Sequence, residues 1–254
     1  LFEEEAFKDG IDINTEELYQ KVEQTGMLPK TQAVSPGDFM DAFKPYIDKD
    51  YDIVYIGIGS KISGTFQSAM IARDELGEDR VYLIDSKNLS SGIALLVLKA
   101  KDLRDQGYSA KEIHKEITQL VPLVRSQFAI KTLNYLHKGG RASGTAKLIG
   151  GILGIKPIIQ VREGKLDVYK KPAGKMSRAL DIMLNDFFDE FEKDNLDLDY
   201  VMITHSLAPK QAVYMMDKVN EKMNVKNLIE SSAGCVISAH CGAGTIGILY
   251  IVKE

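Results

Sequence analysis

The hydroxyl residues Ser63 and Thr65 flank Gly64 where a predicted buried strand gives way to a predicted helix. Ligands of open α/β sheets bind at the carboxyl ends of strands, and a helix N-terminus offers unpaired N–H groups and partial positive charge. The pattern therefore predicts an anion site at Ser63, Gly64 and Thr65. The alternative is that Ser63 only caps the helix, because serine is a common N-cap residue. The segment matches neither the Walker loop nor the dinucleotide-binding glycine pattern.

Thr31 and His240 form a second set of candidate binding residues. Thr31 lies in a predicted loop with a proline on each side, and His240 lies in a predicted glycine-rich turn. Gly242 and Gly244 in that turn would allow close approach of a ligand. A neutral imidazole donates one hydrogen bond, whereas a protonated one adds charge attraction. Taken alone, both residues have a plain structural interpretation, as a loop threonine and a turn histidine.

Lys138 and Arg141 flank a Gly-Gly turn and could bind a phosphate or the acidic face of a partner. The alternative is a solvated turn. A pairing of Ser63 with His240 could in principle supply a nucleophile and its base, but no Gly-x-Ser-x-Gly elbow supports it. No group of histidine, cysteine and acidic residues has metal-ligand spacing, so no metal site is predicted.

The elements that position these residues alternate between strand and helix patterns in the first part of the chain. The strands are predicted over residues 52–58, 80–84 and 127–130, and the helices over 66–76, 92–106 and 110–120. A strand, a crossover helix and a second strand are typical of a parallel sheet with covered faces.

The second part opens with a predicted hairpin. Its elements are strands 157–161 and 166–170, helix 175–192, strand 200–204, helix 209–223 and strands 226–230 and 247–252. We therefore predict two α/β domains, residues 1–145 and 146–254. The first should have a mainly parallel sheet, and the second should be a smaller domain with a mixed sheet.

Composition excludes several classes of protein. The net charge is −4 and no long run of Lys or Arg occurs, so nucleic-acid binding is not expected. No apolar stretch has the length of a membrane span, so stable membrane insertion is not expected. Cys235 and Cys241 lack zinc or redox spacing, which favours a cytoplasmic protein. The chain begins with Leu1, so we expect that the native N-terminus is missing.

Six motifs, in order and spread over nearly the whole chain, resemble the DegV family of bacterial fatty-acid-binding proteins. They are Asp9–Ile13, Leu28–Gln32, Gly59–Thr65, Leu83–Ser86, Leu133–Arg141 and His240–Gly247. No single motif is decisive.

The resemblance implies a specific function. Family members fold as two α/β domains with a lipid tunnel between them, and residues matching Thr31, Ser63 and His240 hold the fatty-acid carboxylate. A separate fatty acid kinase then makes an acyl-phosphate from ATP for phospholipid synthesis. The protein itself is expected to be no enzyme and to need no cofactor beyond the bound long-chain fatty acid. The turn at Lys138 and Arg141 is the expected contact with the kinase.

Several features depart from the family pattern or leave alternatives open. The loop reads Thr31-Gln32-Ala33 where the family usually has Thr-Ser-Gln, and Ala243 stands where proline is common. The family's opening strand and Thr-Asp-Ser motif are missing. The apolar stretch 146–159 could line the tunnel or be a plain core helix. The alternative functions are a lipid-sensing regulatory protein and a serine-dependent hydrolase or phosphotransferase using the same pocket.

Overall fold

The structure, a computed structural model, describes residues 1–2, 5–141 and 154–253. It divides into two compact units, both α/β, which confirms the predicted fold class. Unit 1 comprises residues 1–32, 125–162 and 166–254, and unit 2 comprises residues 33–124 and 163–165. The predicted boundary at residues 145–146 lies outside the described residues, as does most of the apolar stretch 146–159.

Unit 2 is built on a two-stranded parallel sheet. Its elements are α2 (Pro36–Ile47), β1 (Ile53–Gly57), α3 (Thr65–Leu76), β2 (Val81–Asp85), α4 (Ser91–Asp105) and α5 (Ala110–Leu120). The strands pair from Ile53↔Val81 to Gly57↔Asp85, so their carboxyl ends meet at one edge. This arrangement confirms the predicted strands and crossover.

Local signals fix the helices of unit 2. The Ser35 hydroxyl accepts a hydrogen bond from the N–H of Asp38 at 3.2 Å, and Pro36 occupies the first turn of α2. Both features favour a helix start, because proline has no N–H to leave unpaired and serine satisfies one that remains. Phe39 and Phe43 of this helix pack on a core that includes Ala69 and Val81.

Unit 1 contains a six-stranded mixed sheet of order β5-β4-β3-β8-β6-β7. Its strands are β3 (Val124–Ala129), β4 (Ile158–Arg162), β5 (Lys165–Lys170), β6 (Val201–Ser206), β7 (Leu228–Ser232) and β8 (Thr245–Ile251). Its helices are α1 (Thr15–Thr25), α6 (Asn134–Lys138), α7 (Met176–Glu192), α8 (Pro209–Lys222) and α9 (Cys235–Cys241).

The placement of β3 differs from the sequence prediction, which assigned this strand to the first domain. Strand β3 pairs antiparallel with β4 in unit 1 and is one of the six strands of the mixed sheet, which is the larger of the two. Strand β8 lies inside the sheet between β3 and β6 and is buried along its whole length. Among the helices of the described ranges, none combines the length and the hydropathy needed to cross a bilayer.

Candidate functional site

Unit 1 brings Thr31 and His240 into contact. The Thr31 Oγ1 lies 2.8 Å from His240 Nε2, although the two residues are separated by 209 positions in the chain. Thr31 is in the loop that follows α1, and His240 is in the last turn of α9. The predicted position of His240 inside a glycine-rich turn is therefore wrong, since the helix continues to Cys241 and the turn begins at Gly242.

His240 is held as a neutral imidazole. Burial, together with the nearby positive charge of Arg141, lowers the pKa of His240 from 6.5 to about 4. Its Nδ1 is buried and has no hydrogen-bond partner within the described part of the chain. The Nε2–H tautomer avoids burying an unpaired N–H, and in it Nε2 donates to Thr31 Oγ1. The hydroxyl proton of Thr31 is then free to be donated to an anion.

Two glycines near His240 make room for neighbouring side chains. A Cβ on Gly139 would overlap the His240 Nδ1, so the imidazole lies directly against the backbone at the end of α6. A Cβ on Gly242 would lie 2.7 Å from Cδ2 of Tyr135. The sequence-based expectation that Gly242 admits a ligand is thus corrected, because the Tyr135 ring occupies that space. The space beside Gly244 is filled in the same way by Lys131.

A buried hydroxyl network supports the other side of α9. The Tyr19 hydroxyl lies 2.7 Å from Ser206 Oγ and donates to the carbonyl of Ser238 at 3.0 Å. Ser206 and Ser238 are themselves 2.8 Å apart through their hydroxyls. Burial raises the pKa of Tyr19, which stays a neutral donor. The sequence offered no signal for this network, because its three members come from three separate elements.

In unit 2, the hydroxyls of Ser63 and Thr65 lie 3.0 Å apart at the start of α3. The N-cap residue of this helix is Gly64, which has no side chain, while Ser63 Oγ accepts from the N–H of Thr65 at 3.2 Å. Ser63 therefore does contact the helix start, as the capping interpretation expects, but from one position before the cap. Ser63 satisfies one N–H group of the first helical turn, and helix geometry leaves the others of that turn without partners inside the helix, where an anion can bind.

The loop that precedes Ser63 is anchored to the end of β2. The Asp85 carboxylate accepts from the Ser60 hydroxyl at 2.6 Å and from the N–H of Lys87 at 2.9 Å. The N–H of Gly59 donates to the carbonyl of Asn88 at 2.8 Å. The motif residue Asp85 thus has a structural role, which is to hold the loop that presents Ser63.

Lys138 and Arg141 lie on either side of the turn that ends α6. The Arg141 Nη1 donates to the carbonyl of Gly139 at 2.7 Å, which folds the guanidinium back over the turn. Lys138 is exposed to solvent. The positive charge of Arg141 helps to lower the pKa of His240. The contact of Lys138 and Arg141 with a partner stays a prediction.

Nothing in the described ranges resembles a metal centre. No group of three or more histidine, cysteine and acidic side chains converges there. Cys235 and Cys241 are free and buried, and burial raises the pKa of their thiols to about 11 and about 12. Both thiols are therefore inert neutral groups at neutral pH.

Sequence comparison gives a consistent family assignment. The DegV family model matches residues 1–253. A DegV domain-containing protein of Clostridium acetobutylicum is 37% identical over 249 residues, covering 98% of this chain and 87% of that protein. One from Caldanaerobacter subterraneus is 34% identical over 252 residues, with 98% and 87% covered.

Solved structures agree with this assignment. A fatty-acid-binding DegV family protein of Thermus thermophilus matches with a TM-score of 0.89 and 25% identity, covering 99% of this chain and 89% of that one. A stearic-acid-binding protein of Eubacterium ventriosum matches with a TM-score of 0.87 and 27% identity, covering 99% and 88%. The resemblance first seen in six motifs is thereby confirmed, and this chain belongs to the DegV family.

Proposed function

We propose that this protein binds a long-chain fatty acid and holds its carboxylate through Thr31 and His240. The observation that carries the proposal is the 2.8 Å contact between the Thr31 hydroxyl and the neutral His240 imidazole. In this contact Thr31 accepts from His240 Nε2, so the Thr31 hydroxyl proton is available to an anionic ligand. The fatty acids bound by similar DegV proteins support the choice of ligand.

The carboxylate is expected to be held by hydrogen bonds from neutral groups. A carboxylate that leaves water needs several donors, and bonds to a charged acceptor are stronger than neutral ones. Thr31, oriented by His240, supplies one donor. We propose Ser63, Gly64 and Thr65 as further carboxylate contacts, since they combine two hydroxyls with a helix N-terminus.

The hydrocarbon tail supplies most of the binding free energy in this proposal. Burial of each methylene contributes about 0.8 kcal/mol, before the costs of association and ordering are subtracted. We propose an apolar tunnel for the tail, as the family resemblance implies. The residues that hold the carboxylate would then determine that this end of the lipid, and not the tail, is presented to solvent.

We further propose that the bound acid is presented to a fatty acid kinase, which forms the acyl-phosphate, and that this chain has no catalysis of its own. Within the described residues, the Ser63 hydroxyl bonds only to Thr65, so no base activates it as a nucleophile there. Lys138 and Arg141 are the proposed contacts with the kinase. A cytoplasmic location fits the two free, buried thiols.

Native mass spectrometry of protein purified from two hosts tests the binding step. The expected result is a bound species with the mass of a long-chain fatty acid, and protein that is empty from both hosts contradicts the proposal. Palmitate titration should then show weaker binding for His240→Ala and Ser63→Ala. His137→Ala is the matched control, because His137 is exposed on α6 and should bind palmitate like the wild type.

The carrier role has its own test. Palmitate, ATP and an isolated fatty acid kinase should give acyl-phosphate only when this protein is added, and Lys138→Ala with Arg141→Ala should reduce the rate. Hydrolysis of a p-nitrophenyl ester by the protein alone, lost in Ser63→Ala, would instead identify a hydrolase.

A further inference from the structure

The helix that carries His240 is short and has no N-cap side chain of its own. Helix α9 has 7 residues, and its N-cap residue is Gly234. The missing cap comes from Asp9, which is 226 positions away from Cys235 in the chain. Asp9 Oδ1 accepts from the N–H of Cys235 at 2.7 Å, and Asp9 Oδ2 accepts from the N–H of Val236 at 2.9 Å.

Gly234 fits this arrangement because it leaves room for the carboxylate. A Cβ at this position would lie 2.7 Å from Asp9 Oδ2. The φ of Gly234 is −67°, which any residue can adopt, so the close approach of Asp9 is what favours glycine there. A negative charge at a helix N-terminus also interacts favourably with the helix dipole.

We propose that Asp9 is a positioning residue for His240, acting through the N-terminus of α9. The inference rests on the proposed function, because it assigns to Asp9 the alignment of the Thr31–His240 pair that receives the carboxylate. The hydrogen bonds that Asp9 accepts from α9 come from Cys235 and Val236, at the opposite end of the helix from His240. Asp9 fixes the orientation of α9, the helix that carries the His240 imidazole.

The length of the helix explains why a cap at one end matters at the other. His240 is five residues beyond Cys235, which corresponds to about 7.5 Å along the helix axis. A tilt of about 10° at the capped end would then move His240 by about 1.3 Å. A hydrogen bond tolerates only a few tenths of an ångström, so such a tilt would separate His240 Nε2 from Thr31 Oγ1.

The test compares Asp9→Ala with Asp12→Ala in the full chain. Asp12 belongs to the same loop and accepts from the N–H of Lys8 at 2.8 Å, so its loss disturbs the loop without touching α9. We expect Asp9→Ala to weaken palmitate binding about tenfold, close to the lower limit for one lost hydrogen bond to a charged group. Imidazole 15N shifts of His240 should move toward a mixture of tautomers. Asp12→Ala should change neither quantity.

A second variant keeps the proposal testable if Asp9→Ala does not fold. Gly234→Ala retains Asp9 but pushes its carboxylate from the helix, so it should shift the His240 signals in the same direction. Unchanged His240 signals in either folded variant overturn the proposal, as does equal palmitate affinity for Asp9→Ala and Asp12→Ala. If the wild type binds no palmitate, the proposed function is contradicted. The imidazole 15N shifts of His240 still test the role of Asp9 in that case.

Discussion

The two pairs of side chains proposed to receive the carboxylate, Ser63 with Thr65 and Thr31 with His240, are assembled in opposite ways. Ser63 and Thr65 are two residues apart and meet wherever the start of α3 forms. Thr31 and His240 are 209 residues apart and meet only when α1, α6 and α9 have all packed. The local pair should therefore tolerate changes elsewhere in the chain, whereas the distant pair should respond to substitutions that touch neither of its members.

Substitution of Gly139 tests this difference most severely. In Gly139→Ala the new Cβ overlaps His240 Nδ1, so the imidazole or the α6 backbone must move. Overpacking of this kind typically costs about 1–3 kcal/mol in the free energy of unfolding. We also expect palmitate affinity to fall by about 1.5–3 kcal/mol, equivalent to one lost hydrogen bond to a charged group.

Gly37→Ala is the matched control for this prediction. Gly37 lies in the first turn of α2, and an added Cβ there would be 3.7 Å from Ser35 Oγ, an ordinary van der Waals distance. Urea unfolding and calorimetric titration should show no loss for Gly37→Ala. Gly139→Ala that binds palmitate as the wild type does would mean that His240 is not fixed by this contact.

Direct removal of one hydroxyl from each pair gives the second comparison. Thr31→Val keeps the side-chain volume but removes the donor and leaves His240 Nε2 unpaired, so palmitate binding should weaken by about 1.5–3 kcal/mol. Ser63→Ala leaves the Thr65 hydroxyl available, so its cost should be about 0.5–1.5 kcal/mol. Calorimetric titration of both variants measures the difference. A larger loss in Ser63→Ala would reverse the proposed ranking.

The smallest effect concerns pH. In the unfolded chain the pKa of His240 is near 6.5, whereas in the folded chain it is about 4. Between these values the unfolded state holds more protons, so the free energy of unfolding falls as pH falls. His240 is only half-buried, and solvent screening limits the size of the effect.

His240→Gln isolates this titration, because all other ionisable groups are shared with the wild type. From pH 6.5 down to about 4, the wild type should lose more stability than the variant, and above pH 6.5 their difference should be constant. If the free energies of unfolding of the two proteins, measured with urea, fall equally across the acidic range, the pKa of His240 is not lowered in the folded protein.

Features encoded by neighbouring residues could be predicted from sequence. The hairpin between β4 and β5 agrees with the strands predicted over 157–161 and 166–170, and φ is 50° at Glu163 and 77° at Gly164 in its turn. Positive φ at both positions belongs to the tight turn that matches the twist of the strands. The capping of α2 by Ser35 is likewise encoded locally, because cap and helix are adjacent in the chain.

Features that depend on distant residues could not be predicted from local pattern. Val236 and Ile237 have low helix propensity, and the carboxylate that caps α9 comes from Asp9, so no local signal placed His240 on a helix. Only the family resemblance associated Thr31 with His240. The roles of Gly139 and the Tyr19 hydroxyl network depend on packing between elements and were missed.

The interleaving of the two units has a consequence for how the chain matures on the ribosome. Residues 33–124 make up almost all of unit 2, so that unit can fold as soon as this segment has emerged. Thr31 is translated early, but its partner on α9 and the central strand β8 are among the last parts to be made. We therefore expect nascent chains stalled before residue 235 to contain a protease-resistant unit 2 and yet to bind no lipid.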